Sequence, residues 1–116
     1  MLVYDKTHEL ARALKHSDEY RALLAAQQAI AADEQTLKMV KEFLAKQMEV
    51  EYEALAGKGE DKARAEQLQK LYELLMLNSK AKDFIQAYFR FQRMMADVYK
   101  IIGEAVAEGL DFFVKR

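Results

Sequence analysis

Apolar side chains in the C-terminal third of the chain fall on two adjacent helical stripes. Phe84, Tyr88, Phe91, Met95, Val98, Ile102 and Ala105 recur at alternating steps of four and three, which keeps them on one face of a helix. Ile85, Phe89, Ala96, Tyr99, Val106 and Leu110 form a second row beside them, interrupted by Gln92 and Gly103. Only a thin strip of Asp83, Gln86, Arg90, Arg93, Asp97, Lys100, Glu104 and Glu108 is left for water, so the pattern predicts a largely buried helix from Ser79 to Gly109.

Upstream, the same period marks four shorter elements. A first helix over residues 3–15 turns Leu10, Ala11 and Leu14 inward. Ser17 is placed to cap a second helix, with Asp18 and Glu19 at the positive end of its dipole and Tyr20, Leu23, Leu24, Gln27, Ile30 and Ala31 as its stripe. Leu37, Val40, Leu44, Met48, Tyr52 and Leu55 point about a quarter turn away from that stripe at 100° per residue. A break near Asp33, capped by its carboxylate, explains the change of phase. Gly57 suits the left-handed position after a third helix. A fourth helix over residues 60–77 buries Ala63, Leu68, Leu71, Tyr72 and Leu75, and the short link makes helices three and four an antiparallel hairpin. Asn78 is read as ending this helix in the left-handed conformation, and Ser79 as capping the long one.

Composition agrees with helix throughout: 116 residues contain no proline and four glycines. The expected fold is all-α, an elongated antiparallel helical bundle of about five helices with a long C-terminal helix, in a single domain spanning 1–116. Thirty helical residues span about 45 Å, against a diameter of about 35 Å for a compact chain of this length. The long helix therefore overhangs, and a second copy covering it in a symmetric dimer is the simplest arrangement. The residues assigned to that interface are Phe89, Met94, Tyr99, Ile101, Leu110 and Phe113, and an unidentified cytoplasmic protein partner is expected at the outer faces of helices three and four.

Charge and chemistry narrow the function. Eighteen basic and nineteen acidic side chains nearly cancel, so no global field draws the protein to nucleic acid or to an anionic membrane. No stretch approaches the roughly twenty apolar residues of a membrane span. The chain begins with Met1, Leu2, Val3 and Tyr4 followed by Asp5, without the apolar core of a secretion signal, and it has no cysteine, so a cytoplasmic location is expected. His8 and His16 are eight residues apart, not stacked as a metal pair. Glu49, Glu51 and Glu53 lack the Glu-x-x-His pattern of a di-iron bundle and read as a solvated face. Thr7, Ser17, Thr36 and Ser79 have no evident base beside them, and Gly57-Lys58-Gly59 is too short for a phosphate loop. No catalytic residue, cofactor or metal site is expected. The alternative function, an RNA-binding accessory factor, rests on Arg90, Arg93 and Lys100 beside Phe89 and Tyr99, but Asp97 and Glu104 share that strip.

The order of features resembles a known family. Leu14-Lys15-His16-Ser17-Asp18-Glu19-Tyr20, then Ala29-x-x-x-Asp33, Phe43-x-x-x-Gln47, the Gly57 turn and the run from Phe84 to Gly109 are similar to the YlbF/YmcA family of small helical bacterial proteins, in its YheA-like branch. The resemblance implies an all-α cytoplasmic protein that forms oligomers. In better understood members it also implies a regulatory complex influencing competence, biofilm formation, sporulation and RNA processing by a membrane-associated ribonuclease. Cysteines in those members are associated with iron–sulfur clusters. This chain has none, so neither the cluster nor membership of that complex carries over, and no functional residue transfers by position.

Overall fold

Each of the last four α-helices opens on a capping side chain. The computed structural model describes residues 1–57, 59 and 61–113, and among them it places five α-helices: α1 (Leu2–Lys15), α2 (Asp18–Ala31), α3 (Glu34–Leu55), α4 (Lys62–Met76) and α5 (Ser79–Ala105), followed by a 3-10 helix, Glu108–Phe113. Ser17 works in both directions: its hydroxyl donates to the Leu14 carbonyl at 2.6 Å and accepts from the Tyr20 N–H at 3.1 Å, closing α1 and opening α2. The phase break falls at Asp33, whose carboxylate accepts from the Thr36 N–H at 3.2 Å. Asp61 caps α4 through the N–H groups of Ala63 and Arg64, so that helix starts at Lys62 rather than at residue 60.

One assignment moves by a residue. Asn78, not Ser79, is the N-cap of α5: its backbone is extended (φ −102°, ψ 115°) and its side-chain oxygen accepts from the Ala81 N–H at 3.1 Å. Asn78 is thus not a left-handed helix end, because the polar atom needed by the first turn of α5 is its own. Its amide has a second task, donating at 3.0 Å to the hydroxyl of Thr36, which in turn donates to Asp33 at 2.9 Å. Thr36 is buried. The starts of α3 and α5, far apart in sequence, are therefore tied by one polar clasp. The Thr36 hydroxyl bond, then the Thr36 backbone N–H, with help from the charge of Lys80, hold the Asp33 carboxyl below its ordinary value against a desolvation that pushes it up.

Gly57 takes φ +75° after the C-cap Ala56. A Cβ there would meet nothing within 4 Å, so Gly57→Ala should cost only the left-handed backbone, about 1–2 kcal/mol. Urea denaturation should show that loss, with Gly57→Asn losing less; equal stability of Gly57→Ala would refute the assignment.

The core gathers at one vertex. Ile30, Val40, Phe43, Leu75, Ala81, Phe84 and Ile85 form the buried cluster, drawn from the end of α2, the first half of α3, the end of α4 and the start of α5. From there the helices spread as two arms. In one, α2 packs along the first part of α5, with the Tyr20 and Phe91 ring centroids 5.7 Å apart. In the other, α4 folds back on α3, where Phe43 meets Tyr72 at 5.9 Å and Glu53 pairs with Arg64. The chain measures 46 × 38 × 15 Å, flat and elongated rather than spherical.

This shape corrects several burial expectations. α1 buries no residue: Leu10 and Ala11 are exposed and Leu14 is half-buried. Leu24, Gln27 and Ala31 of α2, Met48, Tyr52 and Leu55 of α3, and Ala63 and Tyr72 of α4 are exposed as well. In α5 only Ala81, Phe84, Ile85 and Ala87 are buried, Phe91, Met95 and Val98 are half-buried, and Ile102 and Ala105 are exposed. The stripe is real, but its distal half has outrun the helices that could cover it. α5 also stops early: the Val106 and Ala107 N–H groups turn to the carbonyls of Gly103 and Glu104, a tightening that leads into the 3-10 helix, so Gly109 does not terminate α5.

Candidate interaction surfaces

Between the arms lies a notch. Its inner end is a cavity of about 350 Å³ lined by Leu44, Gln47, Met48 and Glu51 of α3 and by Tyr88, Phe89 and Gln92 of α5. At 100° per residue, the face of α3 that carries Leu44 and Met48 continues outward through Leu55, with Tyr52 on its flank. The face of α5 that carries Tyr88 and Gln92 continues through Tyr99 and Val106, with Ile102 on its flank. Both walls mix apolar side chains with polar ones, Gln47 and Glu51 on α3 and Gln92 on α5, and their outer apolar positions are uncovered: Met48 is 69%, Leu55 88%, Tyr99 68% and Val106 53% exposed.

The six residues assigned to an interface from sequence do not form one patch. Phe89 is half-buried against the core and beside the ring of Tyr88, at the floor of the notch. Tyr99 lies above it on the same side. Met94, half-buried, and Ile101, exposed, fall on another side of α5, with about 160° separating Ile101 from Tyr99. Leu110 is exposed in the 3-10 helix, and the side chain of Phe113 lies outside the described residues. The sequence pattern places Met48 and Leu55 in a buried stripe because each continues a row that begins in the core, and periodicity does not tell where along a stripe the neighbour ends; Val106 belongs to the second row of the long helix, and it is exposed.

Two other grooves are open-sided. One, of about 410 Å³, runs along Ala22, Ala25, Ala26 and Ala29 of α2 and is edged by Lys80, Asp83, Gln86 and Arg90 of α5. The other, of about 320 Å³, lies on the outside of the α3–α4 hairpin between Glu42, Lys46, Gln67, Lys70, Leu71 and Leu74.

The strip proposed for nucleic acid mixes its charges. Arg90, Arg93 and Lys100 are all exposed, but Asp97 and Glu104 alternate with them at steps of three and four, and Lys100 lies 3.9 Å from Glu104. His8 and His16 are exposed on and beside α1. Among the described residues no three His, Asp or Glu side chains come together as a metal set, and no helix is long and apolar enough to cross a membrane.

Comparison with known proteins decides the family. Residues 3–107, which include both arms and the vertex, match the family model described as control of competence regulator ComK, YlbF/YmcA. The chain belongs to the YlbF/YmcA family. Among its relatives within the UPF0342 group, this YlbF/YmcA chain is 40% identical to the protein of Symbiobacterium thermophilum over 95% of its own length and 98% of the relative's. It is 39% identical to that of Desulfitobacterium hafniense, over 95% and 89% of the two chains, and 34% identical to that of Clostridium tetani over the full length of both. The match covers both walls of the notch.

Proposed function

We propose that this YlbF/YmcA protein is a non-enzymatic, self-associating adaptor of the cytoplasm, which acts in regulation by presenting helical surfaces. The observation that supports self-association is the amount of surface one copy leaves exposed. A folded monomer of 13.4 kDa has an accessible surface of about 6,500 Å², whereas this chain exposes 9319 Å². The excess, about 2,800 Å², is more than the roughly 1,000–2,500 Å² that each copy loses in obligate homodimers, whose interfaces bury about 2,000–5,000 Å² in total. The radius of gyration points the same way, 17.9 Å against about 13 Å for a compact chain of this length.

The second surface in this reading is the outer groove of the hairpin, where Leu74 stands uncovered and Leu71 half-covered beside Lys46 and Lys70. Leucines rimmed by charge suit a protein partner. The family's link to control of a competence regulator supports a regulatory role for that contact. Multi-angle light scattering at micromolar concentration tests the assembly: a mass of two chains is expected, and a mass of 13.4 kDa at all concentrations would sink the proposal.

A further inference from the structure

We infer that the notch between α3 and α5 is filled by the distal α5 of a second copy, each copy's arm lying in the other's notch. This rests on the self-association proposed above and states which surfaces meet. The walls are Met48 and Leu55 on α3, and Tyr99 on α5 with Val106 at its C-cap, all more than half exposed, above a floor that includes Leu44, Tyr88 and Phe89.

Area separates this arrangement from a simpler one. The part of α5 beyond Gln92, residues 93–105, is about 20 Å long and about 10 Å wide, so a contact through one helix face covers a flat area of about 200 Å². That is far below the roughly 800 Å² per partner of a standard interface. An arm seated in the notch is covered on two sides, by α3 and by α5 of the other copy. A two-fold axis repeats both contacts, because each copy owns one arm and one notch. The same geometry accounts for the bare end of α3: Leu55 and most of Met48 lie uncovered on the notch side of that helix, away from α4, at 88% and 69% exposure.

A chain without cysteine makes the test clean. Met48→Cys and Tyr99→Cys are made in separate copies, co-expressed, and treated with a short bismaleimide. Linked heterodimer should form at least fivefold faster than for the pair Lys70→Cys and Tyr99→Cys, since Lys70 is on the outer face of the hairpin. As a second measurement, Met48→Glu should keep its helical circular dichroism, because the residue is exposed in one copy, while its dimer dissociation constant rises at least tenfold. Dimers by light scattering with no excess of the 48–99 link, or with Met48→Glu affinity unchanged, would overturn the notch and leave self-association standing on another face. A protein monomeric throughout would remove both.

Discussion

Phe43→Ala should lower the unfolding free energy by about 3–5 kcal/mol, the cost of emptying a buried phenylalanine site. Phe43 is 3% exposed, belongs to the vertex cluster and meets Tyr72 across the hairpin. The effect is large because the core is small. The buried apolar residues are Ile30, Val40, Phe43, Leu75, Ala81, Phe84, Ile85 and Ala87, and two of those eight are alanines, so few side chains are available to close around the void. Both arms depend on this cluster for their mutual angle, so the loss should appear as cooperative unfolding of the whole chain. Guanidinium denaturation at one fixed protein concentration is the measurement, since association shifts apparent stability by mass action. A loss below about 1 kcal/mol would mean that Phe43 is not where the energy of the fold resides.

Asn78→Ala should cost about 1–3 kcal/mol, because it removes the cap of α5 and deprives the buried Thr36 hydroxyl of a donor. Asn78→Asp distinguishes the two parts. Aspartate caps a helix as well as asparagine, but it has no N–H for Thr36 and puts a second carboxylate near Asp33. If capping were the only role, Asn78→Asp would be neutral or better at pH 7; the clasp requires it to remain destabilised. The clasp also gives the native protein an acid limit. The folded Asp33 carboxyl lies below its unfolded value of 3.8, so its contribution is fully present above that value and is lost as pH falls through the folded one. Asp33→Asn should therefore flatten the pH dependence of stability below about pH 4. An unchanged acid slope would show that other carboxylates set it.

The caps and the periods were legible in the chain. Ser17, Asp33 and Gly57 act locally, within a few residues of the groups they satisfy, and short-range chemistry is what sequence displays best. Asn78 shows where that legibility stops. Both Asn78 and Ser79 can cap, and the choice between them is tied to Thr36, 42 residues away. Apolar stripes were legible in direction but not in extent. Tyr88 and Tyr99 continue one face of α5, yet the first sits in the floor of the notch and the second stands in solvent. The difference is made by how far α3 diverges from α5, a property of the vertex and of no single helix. The second row of α5 mixed these effects: Phe89 and Tyr99 share a side, while Met94 and Ile101, grouped with them by hydrophobicity, lie on another.

A slab 15 Å thick also limits what kind of recognition it can perform. Each groove described above is open to water along one side. Such a surface discriminates poorly among small solutes, which it touches on one side and leaves hydrated on the other. It favours long, rigid ligands that bring the missing wall with them, and a helix supplies that wall along its whole length.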